Sequence, residues 1–131
     1  MNKRDILNRL FVENNLTEDD VFSHQHYKII TRGGINKIEA NMNISVFFEV
    51  IKCEPHFAVV KAVATMGDKE IETFGSALKG STFKDGNTNS WYVMEMAEKR
   101  AMSRAVLKLA GFYELGVFGE DESESFKRSN N

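Results

Sequence analysis

Cysteine, proline and tryptophan each occur once in this chain of 131 residues. A lone cysteine, Cys53, excludes an internal disulfide and fits a reducing compartment. The lone proline, Pro55, has no N–H to give to a β-ladder and so belongs in a turn. No apolar run approaches the ~18 residues of a membrane-spanning helix. The first stretch, MNKRDILNRLFVENNL, is amphipathic and lacks the continuous apolar segment of a secretory signal. A soluble, cytoplasmic protein with no membrane partner is therefore expected. Charge of neither sign dominates: 17 Lys and Arg stand against 19 Asp and Glu, a net −2, so the total does not advertise nucleic acid. The acids are unevenly placed. Residues 114–131 hold five carboxylates and two cations, a balance of −3, which leaves +1 on residues 1–113.

What is present suits one globular domain, with 42% apolar and 27% charged residues. A chain this long removes roughly two-thirds of its unfolded surface from water, enough for a real core. Ile6, Leu7, Leu10 and Phe11 recur at helical spacing. Thr31 is placed to cap a second helix to about Met42, with Ile35 and Ile38 inward, although Gly33 and Gly34 weaken it. The period then changes to two. NISVFFEVIKC and FAVVKAVATM alternate, and the second carries small Ala58, Val60, Ala62 and Ala64 on one face. GDK is a hairpin turn and EIETFGSA a third strand, which completes an antiparallel meander. KGSTFKDGNTN is a loop, and Thr88 or Asn89 is expected to cap the long helix that ends at Gly111. The expected fold class is α+β: a three-stranded antiparallel meander packed on one long C-terminal helix, with an N-terminal helical segment. Residues 1–113 form the domain, and 114–131 are an apolar coda and an acidic tail read as disordered.

The long helix carries the chemistry. Around it, Trp91, Met94, Ala101, Met102, Ala105, Val106 and Leu109 fall within one arc, which places Trp91 at the start of the buried face. Arg100, Arg104 and Lys108 form a second stripe beside it, one cation every ~6 Å of axis. Phosphates along a strand recur at a similar pitch, so the stripe suits a nucleic-acid backbone. By itself such a row is ordinary solvated surface: Glu95, Glu98 and Lys99 can pair along the helix, and cations suit its C-terminal end.

The segment MAEKRAMSRAVLKLAGF, following three strands and a polar loop, resembles the closing helix of the single-strand annealing proteins. These include the recombination mediator Rad-fifty-two and phage proteins of the Erf and Sak types. Ala97, Ala101 and Ala105 match the family's alanine spine, Arg100, Arg104 and Lys108 its cations, and Gly111 with Phe112 its end. FGSALKGST resembles the family's third strand and exit, and RGGINKIEANM its initial helix. The likeness covers roughly residues 27–113. It implies a β–β–β–α core and a phage-type recombination protein. Such a protein binds single-stranded DNA, assembles into rings or filaments and anneals complementary strands, with no covalent chemistry and no cofactor. By this carry-over Arg100, Arg104 and Lys108 contact phosphates. Lys79, Lys84, Lys28, Arg32 and Lys37 are secondary contacts, and Phe83, Trp91 and Tyr92 are candidates for bases.

Other constellations are sparse. His24 and His26 lack further ligands for a metal, and Cys53 with His56 lacks a third orienting group. Neither TRGG nor GSALKG is a phosphate loop. The competing readings are an interaction or structural module without nucleic acid, and a small α+β enzyme, for which no acid–base pair can be assembled.

Overall fold

The computed structural model describes residues 2–82 and 85–122. Helix α1 spans Lys3–Glu13, and Asn2 caps it by accepting from the Asp5 N–H at 2.9 Å. A hairpin follows, β1 (Val21–His24) with β2 (Tyr27–Ile30), and then α2 (Arg32–Asn41). Thr31 caps α2 as expected, its Oγ1 accepting from the Gly34 N–H at 3.1 Å, and Ile35 and Ile38 are buried. The meander is β3 (Ser45–Cys53), β4 (Phe57–Met66) and β5 (Lys69–Leu78), antiparallel in the order β3-β4-β5. Pro55 sits in the β3–β4 turn and Gly67, at φ 60°, in the β4–β5 turn. Helix α3 runs Val93–Ala110 and closes on Gly111, whose φ of 89° lets its N–H reach back to the Leu107 and Lys108 carbonyls. The α+β class and the packing of the C-terminal helix on the meander are as the sequence predicts.

Alanines set the distance between sheet and helix. Ala58, Ala62 and Ala64 on β4 and Ala97, Ala101 and Ala105 on α3 are fully buried. Gly75 of β5 is the closest approach: a Cβ there would lie 2.2 Å from the Ala97 carbonyl oxygen and 2.5 Å from the Ala101 nitrogen. The Thr73 hydroxyl donates to the Ala101 carbonyl at 2.6 Å, tying β5 to the helix through its own groups.

A second layer was not expected. Val117–Gly119 form β6, which pairs in parallel with β2, so β1-β2-β6 make a second sheet. The predicted coda is thus part of the domain, and the chain stays ordered on α3 through a 3-10 turn at Glu120–Glu122. This layer supplies the large buried side chains: Ile29, Ile30 and Val117, joined by Ile38, Leu107 and Phe112. Each is worth ~1.5–3 kcal/mol of apolar burial. Helix α3 is therefore held between two layers, and its buried residues cover more than one face. Among the described residues no helix is long and apolar enough to cross a membrane. The tail read as disordered lies outside the described residues from 123 onward.

Candidate nucleic-acid interface

The close approach at Gly75 brings the flank of α3 up to the edge of β5, and the expected cationic row is largely spent there. Arg100 is 3% exposed. Its Nη1 donates to the Ser76 carbonyl at 2.8 Å, its Nη2 to the Asn87 carbonyl at 3.0 Å and its Nε to the Asp121 carbonyl at 3.1 Å. Arg104 donates through Nη1 to the Phe74 carbonyl at 2.7 Å and through Nε to the Glu122 carboxylate, which is itself buried. This corrects the reading of Arg100 and Arg104 as phosphate contacts. Helical spacing gives the direction in which a side chain leaves the axis. It does not show that a sheet edge with unpaired carbonyls stands in that direction. Beside them lies a recess lined by Ser76, Asn87, Tyr113, Phe118 and Glu122, where a carboxylate already holds the half-exposed arginine. Of the three row members Lys108 remains on the surface, its Nζ 5.1 Å from the Tyr113 ring centroid.

The secondary candidates are not brought together. Lys37, on α2, binds Asp20 at 2.6 Å. That ammonium, with the Thr17 N–H, holds the Asp20 carboxyl below its ordinary range despite burial. Lys28, on β2, donates to Ser23 Oγ at 3.1 Å. Arg32 is exposed at the start of α2, where its backbone N–H donates to the Glu120 carboxylate at 2.8 Å. Lys84 and Phe83 lie outside the described residues.

Lys79 is the candidate that the structure places in company. Its Nζ stands 4.0 Å from the Trp91 ring centroid, and His56 approaches the same ring at 5.5 Å. Trp91 is 67% exposed and its neighbour Tyr92 72%, which overturns the expectation that Trp91 opens the buried face. The reason is local. The helix begins at Val93, beyond the predicted cap, because Thr88 is committed elsewhere. Thr88 bridges to Lys79, its carbonyl accepts from the Gly80 N–H at 2.9 Å, and its hydroxyl accepts from the Ser90 N–H at 3.1 Å. Residues 88–92 therefore form no helical turn, and they carry Trp91 over the exit of β5.

That patch continues onto the open face of the meander. By strand register Phe47, Phe57 and Phe74 share the face opposite α3, with Lys61 directly across from Phe74. Phe47 is 68% exposed and Phe74 50%. Lys61 is held by Glu72 at 3.2 Å and Glu49 at 3.9 Å, and Lys52 lies 5.8 Å from the Phe57 ring. Sequence reasoning missed His56, Phe57, Lys52 and Lys61. The signal was available: the alternation that puts alanines of β4 on one face puts Phe57 on the other, beside Phe47 and Phe74 of the neighbouring strands, and among the described residues no further element covers them. Among the described residues no three His, Cys, Asp or Glu side chains converge as a metal site. No protein-family model, no curated protein and no solved structure matches the chain.

Proposed function

We infer that the chain binds single-stranded DNA through the patch around Trp91 and the adjoining open sheet face, and that as an oligomer it promotes annealing of complementary strands in phage-type recombination, in the bacterial cytoplasm. One observation carries the reading: consecutive aromatics, Trp91 and Tyr92, stand two-thirds exposed or more, with the Lys79 ammonium 4.0 Å from the indole. Stacking on such rings accepts any base and is worth ~1–3 kcal/mol per base. Lys79 and Lys52 supply two cations at the same end of the sheet, with the His56 ring beside the indole. Annealing, oligomerisation and phage origin rest on the resemblance of the α3 segment. The function is binding, with no covalent step.

The single tryptophan makes the test direct. Indole fluorescence should quench on titration with an oligothymidine, and a labelled oligonucleotide should gain anisotropy. Trp91→Ala is expected to weaken binding ~5–150-fold, the equivalent of one stacked base. With two cations engaged, the slope of log K against log salt should be only about −1.4. No anisotropy change at low salt with micromolar protein would remove the reading. The alternative, an interaction module without nucleic acid, is favoured by one observation: the sheet's open face is apolar and also carries Glu49 and Glu72, which repel phosphate. A partner held there by apolar contact would show little salt dependence.

A further inference from the structure

The two edges of the meander are finished differently. From Phe74 to Leu78 the β5 edge is closed. Carbonyls of Phe74 and Ser76 accept from Arg104 and Arg100, and Leu78 exchanges hydrogen bonds with Asn87, its N–H to Oδ1 at 2.8 Å and its carbonyl from the N–H at 2.9 Å. Among the described residues nothing pairs with the outer edge of β3 along its nine residues. Strand β3 is apolar on both sides: Phe47 and Ile51 are 68% and 51% exposed, Phe48 and Val50 40% and 56%. Phe48 and Val50 lie on the side that α3 covers elsewhere, because α3 crosses β4 and β5 and barely reaches β3. Sheets blunt a free edge with proline, charge, bulges or a covering element. Here a register shift between Val50 and Lys52 and the charges of Glu49 and Lys52 are the relief.

We propose that β3 pairs antiparallel with β3 of a second copy, about a two-fold axis between Glu49 and Lys52, to form a six-stranded sheet. Head-to-tail addition needs a long open edge at each end of the sheet, and the Phe74–Leu78 half of β5 is occupied by Arg104, Arg100 and Asn87. An edge that meets itself needs only one. The charges set the register. The shift at Ile51 puts Lys52 opposite Val59, on the same face as Glu49, which lies opposite Lys61. An axis between them sets each Glu49 against the other copy's Lys52, whereas an axis on Glu49 opposes two carboxylates. Their present partners, Lys61 at 3.9 Å and Glu54 at 3.2 Å, cost little to exchange: Lys61, itself partly buried, keeps Glu72 at 3.2 Å, and the Lys52–Glu54 pair is exposed. At ~150–250 Å² per buried ring, Phe47 and Phe48 still expose on the order of 200 Å² per copy. Adding Val50, Ile51 and the strand backbone brings the contact toward the small end of specific interfaces, ~1,200 Å² in total. The dimer should therefore dissociate on dilution.

The test is sedimentation equilibrium of the full chain without nucleic acid, with amide exchange at low and high concentration. The mass should rise from 14.9 kDa to twice that value and stop, and amides of β3 should gain protection as it does. Glu49→Lys should weaken association about tenfold, and adding Lys52→Glu should restore it. Val50→Lys, at an exposed position, should also weaken it, with circular dichroism confirming the fold of each variant. A monomer up to ~1 mM would overturn the proposal and leave β3 to an edge of a different protein. So would growth beyond two copies, failure of the charge swap to restore association, or a dimer indifferent to both Glu49→Lys and Val50→Lys.

Discussion

Replacing Arg100 with alanine would leave three backbone carbonyls, those of Ser76, Asn87 and Asp121, without the donor they share. Hydrogen bonds from a charged donor contribute ~1.5–3 kcal/mol each. They do not simply add, because burying the guanidinium at 3% exposure costs desolvation energy that the variant recovers. Each buried carbonyl left unpaired costs about 1–3 kcal/mol, so three of them, less the recovered desolvation energy, put the loss at about 3–5 kcal/mol. Set against a total stability of ~5–15 kcal/mol, that is a fifth or more of what holds a domain of this size folded. The corresponding fall in Tm is ~10–20 °C. Arg100→Lys keeps the charge, yet a single ammonium cannot reach three carbonyls as a planar fork does, so an intermediate loss is expected. Urea and thermal unfolding followed by far-ultraviolet circular dichroism measure the loss, with oligonucleotide binding measured on the same samples below their melting temperature. The reasoning is refuted if Arg100→Ala melts like the parent protein while losing oligonucleotide binding. That pair of results would mean that the guanidinium serves a polyanion and not the β5 edge.

Gly75→Ala tests the spacing of sheet and helix: a Cβ 2.2 Å from the Ala97 carbonyl oxygen forces α3 away and should cost about 1–3 kcal/mol or more, read as a lower urea midpoint. Asp20→Asn tests the Lys37 pair. Because the folded carboxyl titrates below its unfolded value of ~3.9, its stabilisation is fully present above that pH and fades as pH falls through the folded pKa. The Tm gap between parent and Asp20→Asn should hold near neutrality and close in acid; a gap that persists in acid would show that the carboxylate charge is not its source.

Much of the main sheet was legible in the sequence because its signals are strong. Strands β4 and β5 have ten residues each with clear alternation, and their turn carries glycine where a positive φ is required. The start of α3 was misread because Thr88, a good cap by type, closes the loop to Lys79 instead. The second sheet was not legible at all. Strands β1 and β2 have four residues each, and their two-residue turn places Gln25 at φ 57°, where glycine or asparagine would have advertised a hairpin. Strand β6 has three residues and finds its partner in β2, across most of the chain. No local pattern encodes such a pairing. The cations were misread because neither the close approach of the β5 edge nor the turn after β6 that brings up Asp121 and Glu122 was legible. A helix packed on one sheet has a broad solvated side, whereas α3 lies between two layers and keeps little of one.

The helix that resembles the annealing proteins is thus accounted for by its own packing. An alanine spine lets α3 sit so close to β5 that it must satisfy the edge carbonyls it overhangs, and long forked donors one turn apart, Arg100 and Arg104, reach the carbonyls of Ser76 and Phe74. Alanines at every fourth position with arginines beside them follow from a helix lying along a strand edge, whether or not nucleic acid is bound. The pattern therefore supports the fold and leaves the proposed DNA contact to the exposed rings and Lys79 at the end of the sheet. It also governs assembly. The same two arginines occupy the Phe74–Ser76 stretch of the β5 edge, which favours the proposed pairing of β3 with a second β3. In the proposed dimer the open faces of both meanders would lie on one side of a continuous sheet, as two aromatic surfaces related by the two-fold axis that the proposed single strand of DNA could cross.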